Sequence, residues 1–308
     1  MATDNILRTY ADVSIREDVG SLVEILTARE NWFLNNLQKR TAISTIHNVL
    51  TDTLATAASA AVEEAADYSY GALTTPSRIT NLVEIIATPI KVAHAQQWVE
   101  KYTQEDELTR QTTKALINWG NSAEFDIVRS TLTSGASGTA PKMSGILEAI
   151  SKSTNTTAHS SGTAIAASIL KGLLKLNWDN GNGVDVATDL FCGSYLKNAI
   201  DNLSGNRSLT LNVDATTRTL TDVVDKYQTG FGTLNIHLHR YVQQSTDATG
   251  RIVGINPSKL ALAYLKNPYI QSDLAVTGPF TPKAVVGALT LEVHNKDANF
   301  LGTGFYVG

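Results

Sequence analysis

Two histidines come closest to a pattern that could do chemistry. His237 and His239 are two positions apart in "LNIHLHRYV", which alternates like a β-strand, so both imidazole rings should face one side of it. Metal sites use this spacing, but a site also needs a third and a fourth ligand, and no nearby residue is an obvious candidate. We therefore interpret the pair as part of a polar strand face, keep a metal site as the minor alternative, and predict no bound metal or cofactor.

Motifs for catalysis are incomplete elsewhere in the sequence. The nearest match to the serine-hydrolase motif G-x-S-x-G is "GNSAE", which lacks the final glycine. Cys192 is the only cysteine and lies in the apolar segment "TDLFCGS", which indicates a buried structural thiol rather than a nucleophile. Acidic pairs such as Glu63 and Glu64 fall in loops or first helix turns, where carboxylates are usually solvated. No catalytic residue is predicted, and we do not expect an enzyme.

Composition narrows the class of protein further. The 308 residues are 43% hydrophobic and 18% charged, which is enough to bury a sizeable core. A net charge of -4 argues against a basic face that grips nucleic acid. One cysteine excludes an internal disulfide. Neither a signal peptide nor a membrane-spanning apolar run is recognisable, so we expect neither export nor membrane insertion.

The first third of the chain contains an unusual insert. Helical periodicity over 16–40 predicts an amphipathic helix, which packs either on its own core or on another subunit. Segments 43–54 and 79–92 are β-branched and predict two strands, the second with Val83 and Ile85 on one face. Small and weakly apolar residues fill 53–78, far more than a hairpin turn needs, with a short helical piece expected over 55–66. Such an arm must either find its packing outside its own domain or stay mobile.

The remaining chain predicts a mixture of helices and strands. A helical pattern from about residue 105 to 133 predicts a helix on the order of 40 Å long. It is followed by two loops, "TSGASGTAPKMSG" and "SKSTNTTAHSSG". Further helices are predicted over 163–178, 194–203 and briefly from Pro257, and strands over 186–192, 233–242, 251–255 and 284–293. Trp98, Trp119 and Trp178 are interpreted as core residues.

Two long stretches carry a family resemblance. "LATAASAAVEEAADYSYGALTTPSRITNLVEIIATPIKVAHAQQWV" resembles the extended loop of tailed-bacteriophage major capsid proteins, which have the Hong Kong 97-type fold. "ELTRQTTKALINWGNSAEFDIVRSTLTSGASGTAPKMSGILEAI" is similar to their spine helix and the turn after it. The resemblance implies an α+β capsid fold in four parts: an N-terminal arm (1–42), an extended β-hairpin loop (43–90), a peripheral domain (91–141 and 268–308) and an axial domain (142–267).

The function that this resemblance implies is self-assembly. Hexamers and pentamers would close into an icosahedral shell around phage double-stranded DNA, with a portal, a separate scaffolding protein and a possible decoration protein as partners. The expected location is the virion capsid, assembled in the cytoplasm of the bacterial host. The alternatives are an encapsulin-like protein nanocompartment and an unrelated α+β binding module. No lysine lies between residues 42 and 90, so the lysine crosslinks of some relatives are not expected.

Candidate inter-subunit contacts follow from the same resemblance. The extended loop would lie across the peripheral domain of the next subunit, where small side chains permit close approach and acidic ones can pair with bases. The candidates on the loop and the arm are Glu63, Glu64, Asp67, Tyr68, Tyr70, Arg78, Trp32 and Phe33.

Overall fold

A computed structural model describes residues 31–54, 57–65, 67, 71, 73–99, 106–181, 183–203, 225–244 and 247–306. The α-helices in these ranges are α1 (Trp32–Asn36), α2 (His94–Trp98), α3 (Glu107–Arg129), α4 (Ile146–Ser151), α5 (Ala167–Asn180) and α6 (Ser194–Leu203). The strands are β1 (Gln38–Thr41), β2 (Ile46–Thr51), β3 (Ser77–Leu82), β4 (Glu84–Ala93), β5 (Thr156–Thr163), β6 (Asp189–Cys192), β7 (Lys226–Thr229), β8 (Gly232–Leu238), β9 (Gly250–Ile255), β10 (Leu260–Gln271), β11 (Phe280–Val293) and β12 (Phe300–Phe305).

A four-stranded sheet in the order β1-β10-β11-β4 packs one face on the long helix α3. Trp119 of α3 is buried between them, and its indole N–H donates to the carbonyl of Ile86 at 3.0 Å. Gly287 of β11 permits this approach, because a Cβ there would lie 2.4 Å from the Trp119 ring. Asp106 caps the first turn of α3 by accepting from the backbone N–H of Leu108.

A six-stranded mixed sheet in the order β5-β12-β9-β6-β8-β7 forms the second body. Its strand β12 is antiparallel to β9 and parallel to β5. Helices α5 and α6 contribute Leu173 and Leu196 to its core, with Phe300 and Phe305 of β12 fully buried beside them. A larger core cluster joins the two bodies, since Trp119 and Phe191 belong to it together.

Helix α1 lies at the junction of the two bodies. The carboxylate of Glu124, which is fully buried in α3, accepts from the backbone N–H of Phe33 at 2.8 Å and of Leu34 at 2.9 Å. Its Oε1 also lies 2.9 Å from Nε2 of His239, just after β8. One side chain therefore connects the arm, the long helix and the second sheet.

Several predicted elements differ from the structure. The described part of the predicted 16–40 helix is helical only over α1, and 38–41 pairs with β10 as a parallel strand. No helix forms in the described residues of 55–66. The predicted strand 79–92 is divided at Val83 into β3 and β4, which belong to different sheets. Val83 is buried while Ile85 is exposed. The predicted loop over 151–162 contains β5, because backbone pairing with β12 requires no apolar side chains.

Strand pairing divides segments that the expected domain boundaries keep together. The segment 268–308 divides between the two sheets, because β11 pairs with β4 whereas β12 pairs with β9. Residues 260–267, expected in the axial domain, belong to β10 of the four-stranded sheet. The predicted long helix is confirmed over α3, although its ends are closer together than the periodicity indicated.

Candidate assembly surface

The hairpin of β2 and β3 projects from the four-stranded sheet as a separate two-stranded sheet. Its register runs from Ile46 opposite Leu82 to Thr51 opposite Ser77. Beyond Thr51, every described residue as far as Arg78 is exposed. Leu54 and Leu73 keep 99% and 96% of their accessible surface, so the described residues of the hairpin between Thr51 and Arg78 bury almost nothing against their own chain. Exposed apolar side chains on a projecting element mark an interaction surface.

The hairpin is also acidic. Between residues 43 and 82 there are four acids (Asp52, Glu63, Glu64, Asp67) and one base (Arg78), which gives a formal charge of -3. Among the predicted contacts, Glu63, Glu64, Asp67 and Arg78 are all exposed. Tyr68 and Tyr70 lie outside the described residues. A cationic surface on another subunit would complement this charge.

The two contacts predicted on the arm face inward. Phe33 has no accessible surface and packs in the core of its own chain. Trp32 is partly buried, with its ring 4.6 Å from that of Phe191 and 5.4 Å from that of His237. Both side chains anchor α1 by packing inward. The buried Glu124 carboxylate also fixes the first turn of this helix, by accepting from backbone N–H groups.

The face of the four-stranded sheet opposite α3 is exposed over β4 and the second half of β10, whereas Ala288, Thr290 and Glu292 of β11 on the same face are buried. The exposed side chains of β4 and β10 on this side, here called the outer sheet face, are Ile85, Ala87, Pro89 and Lys91 of β4 and Lys266 and Tyr269 of β10. Ile85 keeps 64% of its surface and Tyr269 keeps 42%. The ammonium of Lys91 lies over the Phe280 ring and that of Lys266 over the Tyr269 ring. Neither lysine forms an ion pair with another described residue.

Sequence reasoning missed this face because it missed β10. The segment "LALAYLKNPYIQ" contains Pro268, which lacks a backbone N–H and is unexpected inside a sheet. The structure tolerates it because the pairing with β11 shifts between Lys266 and Tyr269, which is a bulge. The apolar run before the proline was the available signal for a strand.

A carboxyl pair lies at the base of the hairpin. Glu84 is buried at the start of β4 and accepts from the Ser130 hydroxyl at 3.1 Å and from the Met143 N–H at 3.2 Å. Burial, and then the charge of Glu84, raise the pKa of Asp126 from 3.8 to about 6, with Lys142 opposing the shift. The folded protein therefore holds this proton more tightly than the unfolded chain does.

Ionisation of Asp126 should consequently lower the free energy of unfolding as the pH rises from about 4 to above 6. Replacing it with asparagine removes the titration, so D126N should match the parent at pH 4 and exceed it at pH 8. Because the carboxyl is only partly buried, we expect a gain on the order of 1 kcal/mol in the free energy of unfolding at pH 8. Urea denaturation at the two pH values measures the free energy of unfolding of D126N and of the parent. The same difference between the two proteins at pH 4 and at pH 8 would contradict the prediction.

The two histidines of the predicted polar strand face have separate carboxylate partners. Nε2 of His237 lies 2.8 Å from Oδ1 of Asp189, and His239 is paired with Glu124. Within the described ranges, no group of three or more potential ligands is arranged to hold a metal ion. Cys192 is buried, as predicted, and burial raises the pKa of its thiol to about 12.

Two of the three tryptophans predicted in the core are at the surface. Trp119 is buried, but Trp98 keeps 79% of its surface and Trp178 keeps 44%. Trp98 lies in the short helix α2 after β4, where the chain turns away from the sheet.

No helix in the described part of the chain has the length and apolar character needed to cross a membrane.

Comparison with known families identifies the fold and the role. The family model for the SU10 major capsid protein matches residues 3–305. The chain belongs to this family. It is therefore a major capsid protein with the Hong Kong 97-type fold of tailed bacteriophages, as the sequence resemblance implied. No curated protein matches its sequence.

Solved structures agree with this major capsid protein over nearly their whole length. The capsid of a native GTA particle is 13% identical with a TM-score of 0.69, covering 97% of this chain and 98% of that one. A chain from a structure of Mycobacterium phage Adephagia is 14% identical with a TM-score of 0.65, covering 98% of each. The holo-SrpI encapsulin complex of Synechococcus elongatus PCC 7942 is 12% identical with a TM-score of 0.65, covering 98% of this chain and 96% of that one.

Proposed function

We propose that this major capsid protein forms hexamers and pentamers that close into an icosahedral shell around double-stranded DNA. The projecting hairpin carries the proposal, because its described residues beyond β2 are exposed and gain burial only from another subunit. Contacts of this kind are heterologous, so they form rings when the rotation between subunits closes. Many modest contacts then add up to a stable shell.

The receiving surface proposed for the hairpin is the outer sheet face of the next subunit. Ile85 and Tyr269 offer exposed apolar surface to the small and apolar side chains of the hairpin. Lys91 and Lys266 offer cations to a hairpin whose residues 43–82 carry a formal charge of -3. Electrostatic complementarity of this kind directs encounter and fixes register more than it adds affinity.

The two sheets correspond to two domains in this proposal. The four-stranded sheet with α3 would be the peripheral domain, with the hairpin as its extension. The six-stranded sheet would be the axial domain, which gathers around the fivefold and sixfold centres. Strand β12 belongs with the axial domain on the basis of its pairing with β5 and β9.

The proposed role extends to the particle as a whole. The shell would assemble in the host cytoplasm with a portal and a separate scaffolding protein, and could accept a decoration protein. The chain would act by assembly and not by catalysis. A net charge of -4 suits a wall that encloses DNA, because each basic contact to phosphate would add salt-dependent affinity.

An encapsulin-like compartment is the second candidate, because an encapsulin chain shares the fold at a TM-score of 0.65. The contents of the shells distinguish the two. Shells purified from an infected or induced host should contain nuclease-protected DNA if the proposal is correct. Protein cargo without DNA would favour the encapsulin candidate.

Charge reversal tests the proposed docking surface. The double variant E63K/E64K should lose shells, because like charges would face each other at every hairpin contact. Each exposed pair contributes only about 0.2–1 kcal/mol, but the contact is repeated in every subunit, so the protein concentration needed for assembly should rise about tenfold or more. Light scattering against concentration measures this threshold.

A compensating variant separates docking from general charge effects. Adding K91E/K266E to E63K/E64K should restore assembly, because both partners then change sign together. K171E on α5 is the matched control, since Lys171 is exposed but lies on the other sheet's helix. K171E is added to E63K/E64K in the same way. If K91E/K266E restores assembly no better than K171E does, the docking surface lies elsewhere.

A further inference from the structure

The hairpin is attached to the body at a narrow base. Its strands pair only with each other, and the backbone links around this base include Val83 N–H donating to the carbonyl of Thr45 at 2.9 Å. Since the distal residues are exposed, a small number of side-chain contacts must decide the angle at which the hairpin projects. Among the described residues, the side-chain hydrogen bonds from the hairpin to the body come from His47 on β2 and Asn81 on β3.

His47 binds a buried carboxylate of the body. Its Nε2 lies 2.7 Å from Oε1 of Glu292, a residue of the central strand β11 whose side chain is almost fully buried. The other oxygen of Glu292 is 3.3 Å from the guanidinium of Arg40 and 3.3 Å from Nε2 of His294. Of these three partners, only His47 belongs to the hairpin. Moving the hairpin would therefore remove one partner from a buried charge, which is costly.

Asn81 binds the backbone of the body. Its amide donates to the carbonyl of Leu291 at 2.8 Å and to that of Ser144 at 3.2 Å, and its Oδ1 accepts from the Ser144 N–H at 2.8 Å. Leu291 is the residue before Glu292, so both contacts reach the same point of β11. These bonds are short and buried, which makes them sensitive to the hairpin's orientation.

His47 and Asn81 are directly opposite each other in the hairpin register. Side chains of opposite residues share a face, so one cross-strand pair carries both contacts to the body. The next pair on the alternate face, Asn48 and Thr80, is hydrogen bonded at 2.7 Å but is exposed and reaches nothing in the body.

We propose that the His47–Asn81 pair is an orientation lock, in which Glu292 and the β11 backbone hold the hairpin at one angle to the four-stranded sheet. This inference rests on the proposed function for its purpose, because a hairpin held at one angle is pre-organised to meet the next subunit. The lock itself is a property of a single subunit. His47 and Asn81 act as positioning residues.

The test measures the hairpin angle directly. Spin labels are placed at exposed positions of the hairpin and of α3 through T75C and T113C, and the buried Cys192 thiol remains unlabelled. Pulsed electron paramagnetic resonance then gives the distance distribution between the labels. Labelled protein is diluted into unlabelled protein, so distances within one subunit are read whether or not shells form.

Three variants distinguish a lock from a general effect on the fold. H47L removes the contact to Glu292, and the population outside the main distance peak should rise on the order of tenfold. H47Q keeps a donor and should restore a narrow peak. T80V removes a hydrogen bond of the same hairpin without touching the body, and should leave the peak unchanged. If H47L does not fold, H47A is measured in its place with the same expectation.

An H47L distribution as narrow as those of H47Q and T80V would overturn the lock. Equal broadening in all three variants would also overturn it, because the effect would then belong to the hairpin alone. Neither result depends on assembly. Loss of shells in the charge-reversal variants, by contrast, reports on the proposed docking surface and not on the lock.

Discussion

Deletion of residues 58–70 is expected to abolish shell formation while leaving a folded subunit. The described residues of this segment are exposed, so the core loses no packing when they are removed. The subunit loses three of the four acids of the hairpin, Glu63, Glu64 and Asp67, together with the exposed Val62. Thermal unfolding should be unchanged within about 1 kcal/mol, because surface changes away from the core have small effects. Size-exclusion chromatography and electron microscopy should show only unassembled protein.

A replacement of 58–70 by the same number of glycine and serine residues is the matched control. It preserves chain length and removes side-chain contacts, so it should also fail to assemble. Shells of normal size from the deletion variant would contradict the role assigned to the hairpin. If the replacement variant forms shells and the deletion variant does not, assembly requires the length of this segment and not its side chains.

Removal of the Glu124 carboxylate should cause the largest loss of stability among single substitutions. E124A leaves the N–H groups of Phe33 and Leu34 and the imidazole of His239 buried without their acceptor. Breaking a buried pair in this way costs about 3–5 kcal/mol. Urea denaturation should show this loss in the free energy of unfolding. Hydrogen exchange over 31–37 should accelerate, because α1 loses the group that fixes its first turn.

D179A is the control for E124A. Asp179 also pairs with a base, Lys175, but this pair is exposed on α5 and should contribute about 0.3–0.5 kcal/mol. A loss below about 1 kcal/mol for E124A would contradict the account of the junction, because a fully buried carboxylate with three partners cannot be removed so cheaply unless the partners find others.

Elements with strong local periodicity could be predicted from the sequence. The long helix α3 and helix α6 follow apolar residues at helical spacing, and the projecting hairpin follows from two β-branched segments around a weakly apolar insert. The exposure of Glu63, Glu64 and Asp67 could be anticipated too, because nothing near them in sequence is apolar enough to bury them.

Elements that depend on distant pairing could not be predicted. Strand β5 is polar and forms by pairing with β12, while β12 has two glycines in six residues and pairs with both β5 and β9. The outer sheet face depends on the register of β4, β11 and β10, which no local pattern encodes. Glu124 could not be distinguished from an ordinary helix acid, since its three partners lie 90 or more positions away in sequence.

Electron microscopy of the purified protein, read beside its size-exclusion profile, tests the central claim most directly. We expect closed shells, or capsomers with fivefold and sixfold outlines, eluting far ahead of a single subunit. A sharp monomer or dimer peak that does not change with protein concentration or with added scaffolding protein would contradict self-assembly through the hairpin.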